Sequence, residues 1–501
     1  MGRALERATE ILEKPLTAAE IPADEFAVMR KANLARWPTG AEVDIDEAAG
    51  FHRALPRQKQ LGWVMREAVR EGRCLTQPRG GFGTLELQME LMRALDRDGL
   101  ADIVPTTTDS YTRNEQWSRA ATGIEESKRA GRSMLNGYPM VNYGPRETRK
   151  LIEAISKPAI VLSGTSMPRL TAECGFAAGY SGYLGSGIAY TTSYTKDVSI
   201  ADGIRNYQYL DRLAALYLEK GVELHRRQPG FLTGTNVPPS IAIATCVLDA
   251  LLAAGQGVRN YGLELGQTLH LVQDAAAIKA CGDLTQEYLK AAGFEHMFTP
   301  VTSLHWMGAW PHDDAQSAAL VAYGGTLAAI GGAVSVTTKS THEAFGLPTP
   351  RINAEGLRMT RMAIYLARQI RLDDLPEFKL EVDLIGRETR AIVDKVLEMG
   401  DGDAAIGAVN AFEAGVLDIP WSPSRFCKSR VMPARDVEGC LRIFDPGLMP
   451  FPKDVMAVHE ERLRKRAEKE GVPYDHDLAV KSVYEISEPL DKLLPFPWTA
   501  A

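Results

Sequence analysis

From about residue 70 to residue 345 one pattern recurs: a short apolar or β-branched segment ending in Gly, Pro, Ser or Thr, then a longer amphipathic segment. The strand-like pieces close with TQPRGG (76–81), IVPTTTDSYTR (103–113), MLNGYP (134–139), AIVLSGTS (159–166) and GIAYTTSYT (187–195). Four more close with FLTGTNVPPS (231–240), VRNYGLELGQ (258–267), TPVTSLHWMG (299–308) and VSVTTKSTHEA (334–344). Helical patterns such as ELQMELMRALDRDG (86–99) and RETRKLIEAISK (146–157) lie between them. Alternation of this kind predicts a parallel sheet. Eight or nine units in that span, with no nucleotide-binding glycine fingerprint, favour a closed (β/α)8 barrel over an open doubly wound sheet. The C-terminal strand ends of such a barrel face the active site, so the polar strand ends are where chemistry is to be sought.

Residues 1–60 are expected to form a helical arm, 61–350 the α/β barrel carrying the site, and 351–501 a mostly helical C-terminal region for contacts with a second copy or a partner. The net charge of −7 and pI near 5.8 provide no basic stripe, which argues against nucleic acid. Six cysteines lie far apart without a C-x-x-C pair, which argues against a disulfide framework or thiolate zinc site and fits a reducing cytoplasm. MGRALERATEILEKPL at the N-terminus is charged and helix-like, without the apolar core of a signal peptide. The uncharged stretch 317–334 is rich in Gly and Ala, too weakly apolar for a membrane span, and is expected to be a buried helix with a glycine turn. A cytoplasmic protein without membrane contact is the expectation.

At the strand ends, Arg79 stands beside two glycines and Arg113 follows one unit on. Either alone reads equally as a surface arginine; two at adjacent barrel mouths favour a carboxylate or phosphate ligand. NGYPMVNYG (136–144) reads as turn chemistry around aromatic packing, with Asn136 as a polar contact. SLHWMGAWPHDD gathers His305, His312, Asp313 and Asp314, but without metal-ligand spacing; its tryptophans suit a flat organic ligand better, and no metal site is assigned. Lys339 and Glu343, four apart, read either as a surface ion pair or as a hydrogen-bonding pair for a sugar or amine. No nucleophile elbow, P-loop or Rossmann motif occurs. CGFAAGYSGYLGSGIAYTTSYTKD (174–197) holds five glycines and four tyrosines, with no charged side chain between Glu173 and Lys196.

RWPTGAEVD (36–44), QPRGG, DSYTR, GRSMLNGYPMVNYG, LTGTNVPPS, HWMGAWP, HEAFGLPT, GDAAIGAVNAFEAGVLDIP (402–420) and MPARDVEGCLR (432–442) occur in order. Together they closely resemble the large (epsilon) subunit of glutamate mutase, also called methylaspartate mutase. The resemblance implies a TIM barrel subunit that dimerises and pairs with a small cobalamin-binding subunit in a heterotetramer. Adenosylcobalamin would lie between the barrel mouth and that partner. The implied reaction interconverts L-glutamate and (2S,3S)-3-methylaspartate: the cobalt–carbon bond breaks homolytically, the 5′-deoxyadenosyl radical takes a substrate hydrogen, and a glycyl fragment migrates. Carried over by position, Arg79, Arg113, Tyr190 and Tyr194 would bind substrate. Gly81, Asn136, Ser193, Trp310, Lys339, Glu343 and Leu347 would bind the cofactor, with Lys339 and Glu343 on the adenosine ribose. Ser193 stands where a proline is usual, and Trp310 where a phenylalanine is.

The D-x-H-x-x-G motif that supplies histidine to cobalt is absent from this chain, and His476 in YDHDLA does not fit it. The resemblance therefore implies that the small subunit carries it. At three substrate positions the chain departs from the family. Leu162 and Ser163 replace an arginine and a histidine, and Leu184 replaces an acidic residue that meets the substrate amine. These departures raise the alternative of the same radical chemistry on a related acid; a cobalamin-independent barrel lyase is a further alternative.

Overall fold

The computed structural model describes residues 10–11, 13–230 and 236–488. Its centre is eight short parallel strands: β1 (Leu75–Gln77), β2 (Val104–Thr107), β3 (Ala159–Leu162), β4 (Gly182–Leu184), β5 (His225–Gln228), β6 (Tyr261–Gly266), β7 (Val301–Leu304) and β8 (Ser335–Thr337). Each pairs with its successor from β2 to β8, and β8 returns to β1 in the register Leu75↔Ser335. Helices flank the strands throughout, so the architecture is the expected TIM-type (β/α)8 barrel.

The seam between β1 and β2 is irregular for a reason written in the sequence. Ile103 N and Thr107 N donate across it to Thr76 O and Gly80 O at 3.2 and 2.8 Å. The alternate position between them is Pro105, which has no N–H, so the rung there is lost. Beyond the gap the two strand ends press together. A Cβ on Gly81 would lie 2.2 Å from Thr107 O, so only glycine fits.

Three expected strand pieces turn out differently. GIAYTTSYT is a helix, Gly187–Tyr194, because Ser186 caps it by accepting from Ala189 N at 3.3 Å; the strand is the short β4 just before it. MLNGYP contributes one isolated bridge, Thr108↔Tyr138, beside β2. Residues 231–235 of FLTGTNVPPS lie outside the described residues, as does most of the N-terminal segment 1–16; the strand of that unit is β5, HRRQ, upstream. All four β5 residues are buried despite their polarity. Arg226 points away from the lumen and donates to Asp211 (2.7 Å), Tyr183 O (2.6 Å) and Gly185 O (2.8 Å), joining β4 and β5 to the helix Ile200–Glu219.

The uncharged run is accounted for by burial: residues 174–192 are all buried. It passes from the end of the helix Arg169–Ala178 through β4 into the helix Gly187–Tyr194. The helices Gly187–Tyr194 and Ile200–Glu219 cross where Gly187 meets Gly203, which brings their backbones into contact.

Ahead of the barrel, helices Ala23–Leu34 and Ile45–Ala54 pack against its side. Arg30 grips the buried Glu173 with two bonds of 2.8 and 2.9 Å. After β8 come helices Pro350–Ala367, Pro376–Met399 and Ala404–Ala414, then an antiparallel pair, β9 (Met432–Arg435) and β10 (Leu441–Asp445), and helices Lys453–Glu470 and Asp477–Tyr484. The hairpin is an addition to the helical tail expected from sequence. Its Arg442 is buried between Glu381 and Asp436, and its Arg435 donates to Thr268 O at 2.7 Å, bracing the loop after β6. Among the described residues no helix is long and apolar enough to cross a membrane.

The glycine crossing yields a stability prediction. A Cβ on Gly203 would lie 2.0 Å from Thr191 Oγ1 and 2.7 Å from Gly187 O. Gly203→Ala should destabilise the protein by about 1–3 kcal/mol, read as a lower urea midpoint with unchanged slope.

Candidate functional site

The expected substrate residues Arg79, Arg113, Leu162, Leu184, Tyr190 and Tyr194 converge on one narrow cavity at the C-terminal end of the barrel, whose lining also includes Glu264 and Thr337. Arg79 follows β1 directly after Pro78 and is half-buried. Burial works against its charge, but the phenols and carboxylates of Tyr194, Glu343, Tyr190 and Glu264 hold its pKa above the ordinary value. Arg113 ends the short helix Ser110–Arg113, which Asp109 caps by accepting from Tyr111 N and Thr112 N. Its Nε donates to Thr108 O at 2.8 Å, and its guanidinium lies 6.0 Å from the Tyr194 ring centre. Tyr190 and Tyr194 sit one turn apart on the helix Gly187–Tyr194, their rings edge to face at 5.1 Å.

Leu162 and Leu184 are register partners on β3 and β4 and form an apolar wall of the cavity. Ser163 is placed differently: its Oγ donates to Leu184 O at 3.0 Å and lies 3.4 Å from Tyr207 Oη, so its hydroxyl serves the strand ends.

A second cluster adjoins the first. Lys339, just past β8, donates to Glu343 at 2.6 Å, and its Nζ lies 5.3 Å from the Trp310 ring centre. Burial, with the neighbouring Arg79 charge, pulls the Lys339 ammonium down to about 8 against the opposing pull of Glu343. Burial raises the Glu343 carboxyl, but Lys339 and Arg79 outweigh it and hold the group below its usual value. Trp310 is fixed by its Nε1 donating to Trp306 O at 3.0 Å. Leu347 is exposed beyond this pair, as is Phe345, whose ring is flanked by His312 and His342. Gly81 and Asn136 stand together at the β1–β2 seam, where Gly137 Cα is 3.0 Å from the place of a Gly81 Cβ; Asn136 accepts from Ser110 N at 2.9 Å. Ser193 lies between the two tyrosines, and its buried Oγ has no hydrogen-bond partner among the described residues. His305 and Asp313 have local duties: His305 Nδ1 accepts from Lys339 N, and Asp313 caps the helix Asp314–Ile330. Among the described residues no group of three or more His, Cys, Asp or Glu could hold a metal ion.

Sequence reasoning missed the polar floor under the cavity. Arg227 on β5 is in register with Leu184 and crosses the lumen to donate to Gln77 at 3.0 Å. Its Nη1 is 3.9 Å from Glu264 on β6, whose carboxylate accepts from Thr337 Oγ1 at 2.7 Å and Gly230 N at 3.2 Å. Burial lowers the Arg227 pKa, with Glu264 opposing. The signal available in the sequence was one carboxylate inside an otherwise apolar, glycine-flanked strand, YGLELG.

The tyrosine helix also has an acidic support. Asp249 accepts from Ile188 N at 3.3 Å at its N-terminus, and burial lifts the Asp249 carboxyl to about 7. The folded value lies above the unfolded 3.8, so the folded state holds the proton more tightly and stability falls as pH rises from about 4 to 7. Asp249→Asn, which removes the ionisation, should stabilise the protein by roughly 2–4 kcal/mol above pH 8 and little near pH 4. Thermal melts of both forms across that range check the prediction.

The family model described as methylaspartate mutase E chain matches residues 55–491. A glutamate mutase epsilon subunit from Desulfitobacterium hafniense is 42% identical over 473 residues, covering 94% of this chain and 98% of that one. The epsilon subunit from Haloarcula marismortui is 42% identical over 90% of this chain and 91% of its own. That from Escherichia coli O157:H7 is 37% identical over 93% and 96%. The chain belongs to the methylaspartate mutase E chain family, a family of isomerases.

Proposed function

We propose that this chain is the large subunit of an adenosylcobalamin-dependent carbon-skeleton mutase that interconverts L-glutamate and (2S,3S)-3-methylaspartate. The observation that carries the reading is the convergence of Arg79, Arg113, Tyr190 and Tyr194 on one cavity at the barrel mouth, with the Lys339–Glu343 pair alongside. Two guanidiniums grip carboxylates in the planar, two-bonded manner that substrate positioning needs. The tyrosine rings and the Leu162–Leu184 wall keep water from the reacting atoms.

The residues present fit the cofactor. An ammonium and a carboxylate 2.6 Å apart offer donors and an acceptor, the complement of a ribose diol. Trp310 backs the pair, and the absence of a side chain at Gly81 leaves room for close backbone approach. Lys339, Glu343, Trp310, Gly81, Asn136, Ser193 and Leu347 would hold the cofactor's adenosyl and corrin parts. Bound there, adenosylcobalamin would supply the carbon-centred radical that takes a hydrogen atom from substrate. The exposed Phe345 and Leu347 at the rim suit a partner, the small subunit bearing D-x-H-x-x-G, in a heterotetramer built on a dimer of this chain. Six unpaired cysteines suit work in the cytoplasm. The three-part division at residues 60 and 350 remains our proposal for its domains.

The apolar Leu162 and Leu184 favour a second reading, the same chemistry on a related acid. Incubation with small subunit, cofactor and a panel of acids decides: methylaspartate from L-glutamate supports the first reading, and turnover of another acid alone supports the second. Arg79→Lys should lower kcat/KM by about 30-fold or more, since one buried substrate charge loses its two-bonded partner. Wild-type affinity for 5′-deoxyadenosine should fall as pH rises through about 8, where Lys339 loses its proton. Lys339→Met should bind about tenfold more weakly at pH 7 and lose that pH dependence, as calorimetric titration would report.

A further inference from the structure

The cavity is lined by charge of both signs, and the Glu264 carboxylate is near enough to help hold the Arg79 pKa up. Arg79 and Arg113 follow β1 and β2, whereas Glu264 is on β6, three strands from β1 and four from β2. Leucines 162, 184 and 304 fill the wall between them. TIM barrel interiors are ordinarily packed with branched apolar residues, so a carboxylate there needs a reason.

The Arg227 charge supplies only part of one. The separation is 3.9 Å, longer than a charge-assisted hydrogen bond, and Arg227 Nη1 is instead bonded to Gln77 at 3.0 Å. Among the described residues Glu264 accepts one bond at each oxygen, from Thr337 Oγ1 and from Gly230 N. A carboxylate offers about four lone-pair sites, so acceptor capacity is left over, and the group faces the cavity. Thr337 and Gly230 fix its rotamer, while Arg227 stands behind it as a counter-charge.

We infer that Glu264 is a specificity-determining residue that receives the ammonium group of the substrate while Arg79 and Arg113 receive its carboxylates. The inference rests on the function proposed above and narrows it. The ligand complementary to this cavity carries two anionic groups toward β1 and β2 and one cationic group toward β6, and an amine-free diacid leaves Glu264 without its partner. The carboxylate at the mouth therefore selects for amino diacids from a strand that carries none of the expected substrate residues.

Calorimetric titration of the full chain with L-glutamate and with glutarate, its amine-free counterpart, tests this. Wild type should prefer L-glutamate by about tenfold or more. Glu264→Gln, which keeps shape and acceptor oxygen, should bring the two acids within about threefold of each other while glutarate still binds, and Glu264→Asp should retain part of the preference. A preference that survives Glu264→Gln overturns the inference. So does equal binding by wild type, absence of L-glutamate binding, or loss of glutarate binding in both variants, which would make Glu264 structural. The two proposals fail separately. Methylaspartate formed equally well by Glu264→Gln with the small subunit and cofactor would leave the function standing and remove this role. A Glu264-dependent preference without any methylaspartate formation would do the reverse.

Discussion

Arg226 and Arg227 are fully buried in consecutive positions of a four-residue strand, and much of the barrel mouth hangs on how their charges are met. Removing one partner of a buried pair such as Arg226 and Asp211 costs about 3–5 kcal/mol, so how these charges are met weighs heavily on the stability of the strand. Arg226 obtains them from Asp211 and from the carbonyls of Tyr183 and Gly185. Those bonds anchor the helix Ile200–Glu219 to β4. That helix in turn crosses the tyrosine helix at Gly187 and Gly203, which sets where Tyr190 and Tyr194 point. Arg227 turns the other way and gives the lumen a polar floor under the cavity.

The same economy appears at the periphery. Arg30 on Glu173 ties the N-terminal helices to the barrel flank, and Tyr209 donates to the same carboxylate at 2.6 Å. Arg442 locks the tail hairpin to the long helix Pro376–Met399, and Arg435 reaches from the hairpin to the loop after β6. Arm and tail thus brace the loops and helices around the candidate site. Each contact uses a guanidinium because its planar fork can satisfy a carboxylate or several carbonyls at once in a buried setting.

Much of the candidate site was legible because strand ends in a barrel are polar where the apolar pattern stops. Arg79, Arg113 and the Lys339–Glu343 pair follow that rule, and the structure gathers them at one mouth. GIAYTTSYT misled because β-branched and aromatic residues look like strand, whereas the Ser186 cap and tight helix crossing override that propensity. HRRQ went unseen because a buried strand is expected to be apolar. Ser163 was expected among the substrate contacts; its hydroxyl donates to Leu184 O, a bond that only the β3–β4 pairing creates.

By itself the sequence determined the barrel, the seam weakened at Pro105, the glycine at position 81 and the side of the sheet that carries chemistry. These follow from period, proline and glycine, which act over a few residues. Tertiary structure alone decided that the uncharged run would be interior, that Arg226 would face out and Arg227 in, and that Glu264 would share a cavity with two arginines. Adjacent residues in a strand face opposite sides, and which side is the lumen is settled only when eight strands close. Charges distant in the chain then become neighbours in a medium of low dielectric, where their mutual placement governs what the cavity will accept.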